Sequence, residues 1–146
     1  MSTRLNGQCM CGAVTVKAEP KRKSLSACHC DMCRRWSSGI FMAIDTVQGT
    51  VQVEGPVRVF QSSEWAERAF CERCGSNLWY RITAEGPGHG QYQLASGLFD
   101  VNGMHLGLEV FIDGKPDAYA FEGERKQMTG QEVFDIYAPK EEGDAQ

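Results

Sequence analysis

No apolar run in this chain approaches the roughly 20 residues needed to span a bilayer, and residues 1–8 are too polar for the apolar stretch of a secretory leader. A membrane helix is excluded, and a cytoplasmic home, where thiols stay reduced, is expected. An excess of positive charge is also missing: 15 Lys and Arg face 19 Asp and Glu, a formal net charge of -4. General attraction to phosphate backbones or anionic lipid is therefore absent, which counts against nucleic acid as a partner. The basic run Lys21-Arg22-Lys23 beside Pro20 reads as a solvated turn rather than a binding patch. No internal repeat and no long linker divides the 146 residues. One domain over residues 1–138, followed by an acidic tail over 139–146, is the expected organisation, and 42% hydrophobic content suffices for a modest core.

An even cysteine count is the next absence. Seven cysteines cannot all be consumed by disulfides, and they are spaced like metal knuckles: Cys9 and Cys11, then Cys28, Cys30 and Cys33, then Cys71 and Cys74. Thiolate sulfur is a soft ligand, so Zn2+ is the expected metal. Gly12 follows Cys11 and Gly75 follows Cys74. A glycine there lets the chain turn back at positive φ while backbone N–H groups point at sulfur. Two such knuckles make one closed four-sulfur site. The division is thus four plus three. Cys9, Cys11, Cys71 and Cys74 are expected to hold a structural zinc. Cys28, Cys30 and Cys33 are expected to hold a second zinc with an open fourth position, as in sites that keep a water or substrate. A protein ligand from His29, His89, His105 or Asp31 would instead close that position. Both groups could also be plain staples in a glycine-rich β chain, a reading that suits the four better than the three.

Residues 8–18 alternate after the first knuckle, Val14 and Val16 on one side and Thr15 and Lys17 on the other, as a half-buried strand. Further strands are expected at 40–44, 50–54, 57–61, 77–82, 91–99 and 106–112. Strand, Cys71–Cys74 knuckle and strand together make the layout of a zinc ribbon. Residues 31–38 suit one or two helical turns ended by Gly39, and 113–117 a tight turn. Residues 84–90 contain three glycines and a proline, a loop that leaves His89 at the surface. Thr129 with Glu132 three residues on is a capping box, opening a helix that carries Val133, Phe134 and Tyr137. Trp36, Trp65 and Trp79 are expected in the core or in a pocket wall.

The order Cys-x-Cys-Gly, then Cys-His-Cys-x-x-Cys-Arg, then Phe-Cys-x-x-Cys-Gly-Ser resembles the glutathione-dependent formaldehyde-activating enzyme family, which also includes centromere protein V. The resemblance runs over residues 7–121. It implies a mainly β fold, coiled β-sheets around a zinc ribbon like that of the Rab-associated nucleotide-exchange chaperones, with short helices. It implies the same division of the cysteines, with the zinc on Cys28, Cys30 and Cys33 catalytic. It also implies a carbon–sulfur lyase run in reverse, adding glutathione to formaldehyde to give S-hydroxymethylglutathione. A small-molecule thiol or aldehyde is then the expected partner, and a homodimer the expected assembly.

An open thiolate-bound zinc suits that chemistry. Three thiolates make the metal a weaker Lewis acid than three histidines would, so thiolate exchange is easier to credit than hydroxide generation. Arg34 and Arg35, directly after the last ligand, are candidates to pair a substrate carboxylate or to damp the excess negative charge. His29, between two ligands, is expected to point away from the ion, into the pocket or toward solvent. The competing reading is a non-enzymatic zinc-ribbon module that binds protein or nucleic acid. One stretch departs from the formaldehyde-activating members. Residues 109–117 resemble a terminal motif of wider-family proteins, with Glu109 where these often carry His, and only 25 residues follow Phe121. Less surface to grip a tripeptide is expected, hence poor glutathione specificity and a smaller or different thiol or carbonyl. Glu109 itself is expected in a salt bridge at a strand edge.

Overall fold

Short alternating stretches punctuated by glycine build eleven strands and two helices in the computed structural model, which describes residues 4–138. The acidic tail expected at 139–146 lies outside the described residues. The elements are β1 (Leu5–Gln8), β2 (Thr15–Ala18), β3 (Ser24–Cys28), α1 (Asp31–Ser37), β4 (Phe41–Asp45), β5 (Gln52–Glu54), β6 (Val57–Gln61), β7 (Ala66–Cys71), β8 (Asn77–Ile82), β9 (Tyr92–Ala95), β10 (His105–Val110), β11 (Lys126–Met128) and α2 (Gly130–Tyr137). The fold is mainly β, as expected. Strands β1, β2 and β5 form a small antiparallel sheet, and the other eight form a large sheet in the order β11-β10-β3-β4-β9-β8-β7-β6. Among the described residues, no helix is long and apolar enough to cross a membrane.

The period-two alternation of strands separates core from site. Val14, Val16 and Ala18 at the small sheet pack on Ile44, Ala69 and Leu94 of the large one, all fully buried. Their alternate neighbours face the other way. Ser24, Ser26 and Cys28 of β3, Phe41, Ala43 and Asp45 of β4, Arg68 of β7, Tyr80 and Ile82 of β8 and Gln93 of β9 floor a cavity of about 600 Å³. One face of the large sheet is therefore packed dry and the other lines the cavity.

Two expected strands stop early. β9 ends at Ala95 in a tight turn over Ser96–Leu98, and β10 ends at Val110 because Phe111 takes φ 56, ψ 44, a left-handed backbone that cannot continue a ladder. β1, β3 and β11 lack a clear apolar signature, and neighbours define them: β10 runs parallel to both β3 and β11. The C-terminal helix follows its expected cap, Thr129 Oγ1 accepting from Glu132 N at 3.2 Å and Glu132 Oε1 from Thr129 N at 2.9 Å. β11 extends the large sheet, and α2 brings Val133, Phe134 and Tyr137 over the cavity.

Candidate metal centres and cavity

The two outer knuckles meet. The sulfurs of Cys9, Cys11, Cys71 and Cys74 all lie within 4.8 Å of one another. Cys9 to Cys11 is 3.6 Å and Cys11 to Cys71 is 3.8 Å, close to the roughly 3.8 Å edge of a tetrahedron with metal–sulfur bonds of about 2.3 Å. Gly12 and Gly75 adopt φ +80 and +77, the left-handed turn their position required. Backbone N–H groups of Val14 and Cys74 point at the sulfurs of Cys9 and Cys71, at 3.3 and 3.5 Å. Cys74 is held down to about 5, first by the Ser76 hydroxyl at 3.2 Å. Donor type, spacing and N–H support all fit a zinc ion. Cys9 and Cys71 are buried, Cys74 is half-buried and Cys11 is exposed.

The sulfurs of Cys28, Cys30 and Cys33 gather separately, again within 4.8 Å, at the floor of the cavity. β3 delivers Cys28. Cys30 caps α1 by accepting from Cys33 N at 3.3 Å, and Cys33 is buried on the first turn. Three thiols this close cannot all ionise unaided. The thiols of Cys28 and Cys33 hydrogen-bond to Cys30 and hold it down to about 2. Cys28 is pushed far up by its bonds to Cys30 and to Cys33 and by burial. Cys33 is lowered by Cys28, but its bond to Cys30 and its burial prevail and raise it to about 11. A bound dication supplies the missing charge, so this donor set also fits zinc. Among the described residues no His, Asp or Glu donor joins the three sulfurs.

The cation that does reach the trio is Arg68, 35 residues beyond Cys33. It is 5% exposed, and its Nη2 donates to Cys33 Sγ at 3.4 Å while Nη1 donates to Ser62 Oγ at 2.7 Å. Its guanidinium lies over the rings of Trp36 and Tyr80, 5.4 and 5.1 Å from their centroids. Aromatic faces replace water around a buried cation. Tyr80 lines the cavity, and burial pushes its hydroxyl above the usual phenol range against the pull of Arg68. Sequence spacing gave no hint of Arg68. The only signal was its place on a strand leading to Cys71.

The arginines beside the ligands sit elsewhere. Arg34 is held by Asp31 and by the His29 carbonyl at 3.2 Å, and Arg35 is exposed. His89 and His105 are exposed. His29 is a correction, for it faces neither pocket nor solvent. It is fully buried, with Nε2 2.8 Å from Glu109 Oε1 and Nδ1 3.0 Å from Tyr119 Oη. Glu109 is corrected in part. It has a salt bridge, to Arg125 at 2.9 Å, but β10 lies inside the sheet and the carboxylate is buried. Parallel pairing of β10 with β3 places Glu109 beside Ala27, two residues from His29. Burial opposes the charge of Glu109, but hydrogen bonds from His29, Arg125 and Gln127 win and hold its carboxyl below the usual range. Trp79 is in the core and Trp65 in the cavity wall.

Fold and donors together define a mainly β protein with two thiolate clusters able to hold metal, one opening into a cavity. The chain belongs to the glutathione-dependent formaldehyde-activating enzyme family, whose sequence model matches residues 4–113. A Schizosaccharomyces pombe protein named an uncharacterized lyase is 36% identical over 130 residues, 88% of this chain and 93% of that protein. A Halomonas elongata protein provisionally named a glutathione-dependent formaldehyde-activating enzyme is 33% identical over 85 residues, 51% of this chain and 54% of that protein.

Proposed function

We propose that the protein is a zinc-dependent carbon–sulfur lyase of a reducing, cytoplasmic compartment. It makes and breaks the bond between a thiol sulfur and an aldehyde carbon, with glutathione as the thiol its family name suggests. The observation that carries this reading is the position of the clusters: Cys28, Cys30 and Cys33 line the cavity, and the other four cysteines do not. The trio is then the catalytic site, and Cys9, Cys11, Cys71 and Cys74 form the structural one. In the synthetic direction the sulfur–carbon bond forms, the carbonyl π bond breaks, and the thiol proton ends on oxygen. A zinc ion held by the trio supplies Lewis acidity and stabilises a thiolate at neutral pH. Arg68 balances part of the negative charge collected at the sulfurs. Tyr80, which stays protonated, offers a hydrogen-bond donor to the carbonyl oxygen from the cavity wall.

The test is the rate of condensation of glutathione with formaldehyde, alongside zinc content. Acceleration above the uncatalysed rate is expected, lost in a Cys30→Ser variant that stays folded and keeps one zinc. Failure to accelerate any thiol–aldehyde pair would leave the non-enzymatic binding module as the better reading.

A further inference from the structure

The reaction needs the sulfurs and one carbonyl carbon, yet the cavity measures about 600 Å³, inside the roughly 300–1,000 Å³ range of pockets that enclose drug-sized ligands. Glutathione would take part of that space, and formaldehyde, with only hydrogens on that carbon, would offer nothing to an apolar wall. The wall indicates what fills it. Trp65, Phe111 and Phe134 converge from three separate stretches of chain. The rings of Trp65 and Phe134 are 5.7 Å apart, and those of Phe111 and Phe134 are 5.6 Å apart, edge to face. Ile82 continues this wall. Phe134 remains 42% exposed, and clustered apolar surface left open in this way marks a binding site.

Phe111 carries the most weight. Its backbone is left-handed, φ 56 and ψ 44, an outlier for a bulky side chain that its surroundings must enforce. They enforce it from two sides. Its carbonyl accepts from Gly114 N at 2.9 Å, and its ring lies so close to Gly130 that a β-carbon there would meet ring carbons at 2.8 Å. Asp113 Oδ1 accepts from Gly130 N at 2.9 Å, tying the strained turn to the start of α2. Such strain clusters at ligand clamps. This one stands beside the sulfurs, because Val110, one residue earlier, is in register with Cys28.

We propose that the aldehyde half of the substrate carries an aromatic or similarly bulky apolar group, seated against Trp65, Phe111 and Phe134, and that Phe111 selects it. This specificity rests on the lyase reading above and deepens it. The thiol sulfur adds to the carbonyl carbon of that aldehyde, and the proton passes to oxygen as before.

Two measurements keep the claims apart. Zinc-loaded protein is assayed with glutathione and an aldehyde series from formaldehyde to phenylacetaldehyde. kcat/KM is expected to rise on the order of tenfold or more along it, the discrimination an apolar pocket gains from added apolar groups. A flat or falling series overturns the proposal. Calorimetry then compares the unreactive probes S-benzylglutathione and S-methylglutathione. About tenfold tighter binding of the benzyl compound is expected, and equal affinities overturn the apolar site even where turnover is intact. A benzyl preference without turnover of any aldehyde would sink the lyase reading instead. Phe111→Gly removes the ring while relieving the strained φ, and it should abolish the benzyl preference. Phe134→Ala, on an exposed helix face, should act in the same direction and covers the case in which the first variant does not fold. A preference that survives in both variants overturns the assignment.

Discussion

The four-cysteine and three-cysteine clusters are buried to similar extents and differ in what surrounds them. The complete cluster combines buried Cys9 and Cys71 with exposed Cys11, while the trio, at the base of a cavity, combines buried Cys33 with half-buried Cys28 and Cys30. Depth therefore does not distinguish structure from chemistry. Completeness does: four thiolates fill a tetrahedral ion, and three thiolates with a buried arginine leave one side facing 600 Å³ of space.

The sharpest way to break this contrast is to remove one sulfur from each cluster. Cys71→Ser should unfold the protein, because a structural zinc contributes on the order of 10 kcal/mol, comparable with the whole stability of a small domain. Cys30→Ser should leave a folded protein with one zinc. Circular dichroism melting with elemental analysis reads both, and equal unfolding would end the division. A mild chelator should strip the trio first, since an open coordination position admits a competing ligand.

Arg68→Met comes next. It keeps much of the side-chain stem and removes the cation from Cys33, at a cost on the order of 3 kcal/mol, typical of breaking a buried charge pair. Metal-loaded protein should suffer more than a Cys30→Ser background, where fewer thiolates remain to be balanced. A double-mutant cycle by thermal melting measures that coupling. Additive costs would mean that Arg68 supports only Trp36 and Tyr80.

The two clusters were legible in the sequence because metal ligands must fall at short, patterned spacings, and Gly12 and Gly75 marked which knuckles close on each other. The C-terminal helix was legible from its capping box. Arg68, Glu109 and Phe111 were not, or only in part. Arg68 meets Cys33 only because β7 and α1 converge on one face of the large sheet. Glu109 reaches His29 through a parallel pairing across 80 residues. Nothing in local pattern announces a left-handed phenylalanine. Each depends on which distant strand lies alongside, and local periodicity does not carry that information.

Acid stability offers a milder test, set behind the trio rather than at it. The carboxyl of Glu109 is held below its ordinary value of 4.5 by His29, Arg125 and Gln127 acting against burial. Its stabilisation is therefore present above that ordinary value and is lost as pH falls through the lower folded value. Glu109→Gln should melt at lower temperature at pH 7 and lose less on acidification, because the variant has no charge there to lose. Parallel acid limbs in the two proteins, followed by tryptophan fluorescence, would remove Glu109 from the balance.

The smallest expected effect falls on the lid of the open site. α2 has eight residues, too few to be stable alone, and it buries only Gly130 and Val133 while leaving Phe134, Ile136 and Tyr137 at least 40% exposed. Its docking therefore leans on the capping box. Thr129→Ala removes the acceptor for Glu132 N and should cost about 1 kcal/mol, charged to local docking before global unfolding. Binding of an apolar probe in the cavity should weaken by up to about fivefold, the ratio that 1 kcal/mol sets. Zinc retention at Cys9, Cys11, Cys71 and Cys74 should not change, because α2 contributes nothing to that cluster. Loss of that zinc in Thr129→Ala would show the two regions to be coupled, and the contrast between a closed structural site and an open lidded one would have to be redrawn.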